Sequence, residues 1–169
     1  MSTPHDPALE PAQGAVHSPD LSSAAAHRPV HATEADGTLE FDIRPTELDS
    51  FGHVNNARYL EFLEWARAEW GRVRGLSYDK FREEGQIPAV VEAKLRFLAE
   101  SKLGDRLRIV STPELKHAAR VNFHQEIFNQ HGKRVLRAEI SVVAVDLKAR
   151  TFTEFSPLFL EAVRAAQKK

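Results

Sequence analysis

The sequence predicts an α+β domain in which one long helix packs against an antiparallel sheet. Three observations carry that prediction: a single run of helical periodicity, four later runs of β-type sequence, and turn residues between those runs. Residues 38–44 alternate Leu39, Phe41 and Ile43 with polar neighbours and stop at Pro45, which describes a short half-buried strand. From residue 56 to about 74, Tyr59, Phe62, Leu63, Ala66, Trp70 and Val73 recur at three- and four-residue steps, with Glu61, Glu64, Arg67 and Arg72 between them. That is the pattern of an amphipathic helix. Gly71 and Gly75 mark its end, and Ser77 is placed to cap a short second helix over 77–84, before Gly85.

The period then changes to two. Residues 88–99, 105–115, 120–129 and 134–147 are rich in Val, Ile, Leu and Phe, separated by Leu103-Gly104-Asp105, Lys116-His117-Ala118 and Gln130-His131-Gly132-Lys133. Connections this short predict hairpins in an antiparallel meander. A last strand at 151–155 and a terminal helix over 157–169 complete the reading, with the basic end of that helix favourably placed against its dipole. The sheet is long-edged and still apolar on its other face, so strands are expected to pair across a two-fold axis to form a homodimer or homotetramer.

The chain has 169 residues, 24 acidic and 23 basic side chains, and no cysteine. The balance of charge gives no cationic excess to track a phosphate backbone, so nucleic acid is not an expected partner. Without cysteine there is no disulfide, thiolate zinc site, iron–sulfur cluster or cysteine nucleophile. Apolar stretches run only a few residues, far short of the roughly 20 that span a bilayer, and the N-terminus lacks a basic-then-apolar pattern. A cytoplasmic protein without membrane contact is the expectation.

Residues 1–37 differ from the rest. They hold five of the nine prolines, four of the eight histidines and no aromatic residue, and are read as a disordered tail. His27 and His31 have the spacing of a helical metal pair, but Pro29 between them removes the helix, so no metal site is expected. Residues 38–169 carry 22 basic and 19 acidic side chains and form the folded domain, mildly basic and suited to an anionic ligand.

The usual nucleophile elbows, phosphate loops and zinc motifs are missing. One dense polar cluster remains between the first strand and the long helix, from Leu48 through Asp49, Ser50, Phe51, Gly52, His53, Val54, Asn55, Asn56, Ala57 and Arg58 to Tyr59. A helix start offers unpaired N–H groups and a positive dipole end, which stabilise an oxygen that gains charge during acyl transfer. A carboxylate just upstream, Asp49, either attacks a carbonyl held there or activates water to attack it. Gly52 permits close backbone approach, and His53 and Asn55 are placed to position substrate or water.

The string D-x-x-G-H-V-N-N-x-x-Y, set between a short strand and a long helix, resembles the hotdog-fold thioesterases of the 4-hydroxybenzoyl-CoA thioesterase-like branch. The resemblance runs from about Leu39 to Leu160 and includes Glu64-Trp65-Ala66-Arg67 on the helix and the later segment F-L-A-E-S-K-L-G-D. It implies a helix wrapped by a curved sheet, dimers with sites at the subunit interface, and hydrolysis of acyl thioesters of coenzyme A or carrier protein without a cofactor. By position it makes Asp49 the catalytic carboxylate and Asn56 the residue whose backbone N–H polarises the thioester carbonyl. His53 matches a catalytic residue of the plant acyl-carrier-protein enzymes, whose asparagine two after the Asp is Phe51 here. The chain departs from a bacterial subgroup with His at the position of Asn56 and Tyr at that of Pro45. It is closer to the H-V-N-N subgroup, which includes long-chain acyl-CoA thioesterases.

Gly52, Val54, Asn55, Tyr59 and Ser101 are the expected substrate-binding residues, with Ser101 placed to hydrogen-bond Asp49 or water. Glu64 matches the catalytic Glu of another hotdog branch, but Arg67 three residues on makes an ordinary ion pair the better expectation. Lys102, Arg106, Lys116, Arg120, Lys133 and Arg134 lie near strand ends, within reach of nucleotide phosphates or as alternating charges on an exposed face. Three functions stay open here: acyl-CoA thioesterase, acyl-carrier-protein thioesterase, and a hotdog module that binds acyl ligands without turnover.

Overall fold

The apolar stripe of the long helix needs a surface to bury it, and the sheet supplies one. The computed structural model describes residues 32–33 and 36–168. Along the chain come β1 (Ala32–Thr33), β2 (Leu39–Asp42), a 3-10 turn (Pro45–Glu47), α1 (Arg58–Arg72), α2 (Tyr78–Glu83) and β3 (Gln86–Phe97). Then follow β4 (Arg106–His117), β5 (Arg120–Asn129), β6 (Arg134–Asp146), β7 (Phe152–Thr153) and α3 (Pro157–Gln167). The strands form one antiparallel sheet in the order β1-β2-β4-β5-β6-β3, with β7 on the end of β6.

Tyr59, Phe62, Leu63, Ala66 and Trp70 of α1 are buried against the inward residues of the sheet, among them Leu107, Ile109, Val121, Phe123, Ile127, Leu136 and Ile140. Full burial of each large apolar side chain contributes about 1.5–3 kcal/mol, so this layer supplies most of the driving force for the helix to dock. Trp70 meets Phe123 edge-on at 5.3 Å and Phe159 of α3 at 6.3 Å, which ties the terminal helix to the same core. Register shifts at Val90/Glu92, Leu115/His117 and Ile127/Phe128 insert bulges that bend the sheet around α1. This is the α+β hotdog arrangement.

One expected pairing does not form. Strands β4, β5 and β6 are a hairpin meander, but β3 pairs with β6 and not with β4. The chain between β3 and β4 is spent on crossing the helix start, where Lys102 bridges to His53 and the Ser101 carbonyl accepts the Val54 N–H at 2.8 Å. That detour puts β3 on an edge.

At the other edge, Ala32–Thr33, assigned from sequence to the tail, pair with Leu39 and Glu40 of β2, whose free backbone groups would otherwise lack partners. Apart from these residues and Asp36 and Gly37, the proposed tail, with His27 and His31, lies outside the described residues. Asp36 and Gly37 turn the chain into β2, and Arg74 beyond the end of α1 reaches back to the Asp36 carbonyl at 3.0 Å.

Candidate active site

The polar cluster folds as a tight turn closed by its own carboxylate. Asp49 Oδ1 accepts the backbone N–H of Phe51 at 2.8 Å and of His53 at 3.2 Å, and the Asp49 N–H donates to the His53 carbonyl at 2.8 Å. Gly52 takes φ +78, which any residue with a Cβ resists. An added Cβ would meet no protein atom of this chain within 4 Å, so within the chain Gly52 is required by the turn conformation. Phe51, at the tip, is 83% exposed.

Val54 is buried and anchors the turn. The Asn55 N–H donates to the Glu47 carbonyl, and its side-chain Oδ1 accepts the Ala57 N–H at 2.9 Å. Asn55 therefore shapes the entry to α1. Asn56 is exposed at the start of the helix, where Ala57 gives no side-chain cap. Among the described residues, no group accepts the Asn56 N–H. The residue just before the N-cap of α1 thus keeps an open donor, seven positions after Asp49, whose Oδ2 has no partner among the described residues.

Tyr59 is buried, edge-on to Phe62 at 5.8 Å and to Phe97 of β3 at 5.5 Å. Burial pushes its phenol pKa up, and the Ser101 hydroxyl beside it acts in the opposite direction. Ser101 is itself buried, and its Oγ makes no well-directed hydrogen bond among the described residues. Within this chain Ser101 Oγ makes no bond to Asp49, one of the two partners expected from sequence, the other being water. Ser101 instead contributes its carbonyl, which holds Val54. An orphaned buried hydroxyl of this kind is a site for a bound water or a ligand oxygen.

Two partners were not visible in the sequence. Glu100 Oε2 lies 3.0 Å from His53 Nε2, and its Oε1 is 2.6 Å from Lys102 Nζ. The hydrogen bond and charge of Lys102, aided by His53 and Lys133, hold the Glu100 carboxyl below the usual range. The second is Gln125, fully buried on the inward face of β5. Arg67 donates to Gln125 Oε1 at 2.8 Å and makes no direct ion pair with Glu64, correcting that expectation. Glu64 is exposed and acts on Arg67 only through its field, while burial pushes the guanidinium pKa down. A polar residue at an otherwise inward apolar position of β5 was the available signal for Gln125.

Of the cations expected near phosphates, Lys102, Arg106, Lys116, Arg120 and Arg134 pair with Glu100, Asp42, Glu114, Glu92 and Glu126, respectively. Alternating charge on exposed strands accounts for these pairs. A groove of about 520 Å³ lined by Val91, Glu92, His117, Ala119, Arg120, Val143 and Phe152 contains none of the motif residues.

Residues 43–163 match the family model of the thioesterase-like superfamily. The chain is 31% identical over 113 residues to the chloroplastic acyl-acyl carrier protein thioesterase ATL3 of Arabidopsis thaliana, covering 66% of this chain and 60% of that protein. It therefore spans about three fifths of the length of that relative. It is 32% identical over 112 residues to the long-chain acyl-CoA thioesterase FadM of Escherichia coli, covering 66% of this chain and 84% of the relative. Among solved structures, a 1,4-dihydroxy-2-naphthoyl-CoA thioesterase from Synechocystis superposes with a TM-score of 0.72 at 23% identity, covering 77% of this chain and 96% of that one. By fold, motif position and family match, the chain belongs to the thioesterase-like superfamily, on the hotdog fold.

Proposed function

We propose that this protein is a thioester hydrolase that cleaves acyl-CoA to the free acid and coenzyme A. One observation supports this reading above the others. Asp49 is pinned through one oxygen by two backbone N–H groups, which leaves its second oxygen to act beside a helix start whose Asn56 N–H has no acceptor among the described residues.

In the hydrolytic step the thioester carbonyl oxygen takes the Asn56 N–H, and the positive end of α1 stabilises the charge that develops on it. Asp49 either removes a proton from the attacking water or attacks the carbonyl itself, with water then hydrolysing the mixed anhydride. Collapse of the tetrahedral intermediate expels the thiolate. His53 and Asn56 are the further catalytic residues, and Gly52, Val54, Asn55, Tyr59 and Ser101 shape the site.

The similarity to the plant acyl-carrier-protein enzyme supports a second donor for the same chemistry, an acyl carrier protein. We also propose that the working unit is a homo-oligomer in the cytoplasm. Strand β3 is an edge strand of 12 residues on which Val90, Val91 and Phe97 are exposed. Pairing with a second β3 across a two-fold axis would cover that edge.

The test is thiol release from short, medium, long and aromatic acyl-CoAs and from matched acyl-carrier substrates, by wild type and Asp49→Asn. The expected result is turnover that collapses in the variant while folding and oligomer size are kept. Binding of acyl-CoA without turnover of any donor would replace the enzyme reading with that of an acyl-binding module.

A further inference from the structure

The geometry points to Glu100 as a positioning residue that fixes the His53 ring for the attacking water, a role that rests on the thioesterase reading above. Each Glu100 oxygen has one partner, His53 Nε2 at 3.0 Å and Lys102 Nζ at 2.6 Å. A carboxylate held ionised by a lysine only accepts hydrogen bonds, so Nε2 carries the hydrogen and, in the neutral ring, the lone pair sits on Nδ1. The root of the same ring is fixed from the other side. His53 donates its N–H to Asp49 Oδ1 and gives its carbonyl to the Asp49 N–H, while its backbone bridges to Lys102. The turn that holds the catalytic carboxylate and the β3–β4 connection that carries Glu100 therefore meet at His53.

This arrangement gives the site two acceptors, Asp49 Oδ2 and His53 Nδ1, for the two hydrogens of one water. As the water oxygen bonds to the thioester carbon, the carbonyl π pair moves onto the oxygen at the helix start and one proton passes to Asp49. His53 keeps the other hydrogen in a hydrogen bond throughout. The oxygen pair then re-forms the carbonyl as the C–S bond breaks with its electron pair on sulfur, and the proton returns from Asp49 to the thiolate, giving acid and thiol.

The outer face of the sheet holds a chemical twin of the pair. Glu114 spans Lys116 at 2.6 Å and His124 Nε2 at 2.8 Å. There Nδ1 faces a second carboxylate, Glu139, at 3.9 Å, whereas Nδ1 of His53 faces none among the described residues. Exposed pairs of this type add little to stability, so loss of stability is not the readout.

The test uses the full chain as wild type, Glu100→Ala, Glu100→Gln and Glu114→Gln. Steady-state acyl-CoA hydrolysis is combined with nitrogen NMR of labelled histidine, in which the His53 signals are identified with His53→Gln. Both Glu100 variants should lower kcat by at least about tenfold with KM within about twofold, and should lose the dominant Nε2–H form of His53. Glu114→Gln should keep wild-type kcat and the His53 signature. Wild-type kcat in the Glu100 variants, or an unchanged His53 tautomer, overturns the positioning role while leaving the thioesterase reading intact. Absence of wild-type turnover overturns both.

Discussion

Arg67 of α1 donates to Gln125 Oε1 of β5 at 2.8 Å, and Gln125 Nε2 reaches the carbonyl of Leu63 at 3.0 Å. The helix and the centre of the sheet are thus joined by a polar bridge inside an apolar layer. Gln125 also donates to Ser111 Oγ at 2.8 Å, so its amide serves three partners. Gln125→Leu leaves the Arg67 guanidinium and the Ser111 hydroxyl short of partners, and is expected to destabilise the fold by about 1–3 kcal/mol. Urea unfolding measures this. Arg67→Leu combined with Gln125→Leu should cost less than the sum of the single changes, because the second removes what the first left unpaired.

Under the proposed function Asp49 has two separable duties. Asp49→Asn keeps an oxygen that accepts the Phe51 and His53 N–H groups but removes the basic and nucleophilic carboxylate. Turnover is expected to fall by about 10²–10⁴-fold with the melting temperature nearly unchanged. Asp49→Ala should lose the same activity and also loosen the turn, lowering the melting temperature. Equal melting temperatures for the two variants would refute the structural duty.

Asp36 gives the fold an acid-sensitive lock. The backbone N–H of Thr38 donates to its Oδ1 at 2.9 Å, and this bond, more than the charge of Arg74, holds its carboxyl below the usual range. A carboxyl lowered in the folded state stabilises fully above its unfolded pKa, about 4, and loses that contribution as pH falls through the folded value. Asp36→Asn should therefore lower the melting temperature at neutral pH and converge with wild type at the acid end. A constant difference across the titration would contradict this account.

The edge of β3 governs assembly under the proposed function. Replacing Val90 and Val91, which are 51% and 47% exposed, by lysine leaves the buried core of one chain intact. Light scattering should report a shift from dimer or tetramer to monomer, accompanied by loss of turnover. A wild-type chain that is already monomeric at assay concentration would remove the two-fold reading.

Much of this protein is determined locally. The spacing of Tyr59, Phe62, Leu63, Ala66 and Trp70 specifies the helix and its buried face, because 3.6-residue periodicity is a property of the chain itself. Ser77 caps α2 through the N–H of Lys80, as its position before the helix indicated, and β5 spans the residues that its turn signals bracket. The motif from Asp49 to Tyr59 was legible for the same reason: its turn is closed by bonds between residues two to four apart.

What tertiary structure decided is every relationship across long sequence separations. No local rule sets β3 beside β6, since pairing depends on where the chain must travel to cross the helix start. The same crossing brings Glu100 to His53 and buries Ser101 with no well-directed hydrogen bond to its hydroxyl among the described residues. It was also the sheet, and not the i,i+3 spacing on α1, that chose the partner of Arg67. A buried guanidinium takes the acceptor fixed within its own layer, Gln125, over an exposed Glu64 that keeps its water.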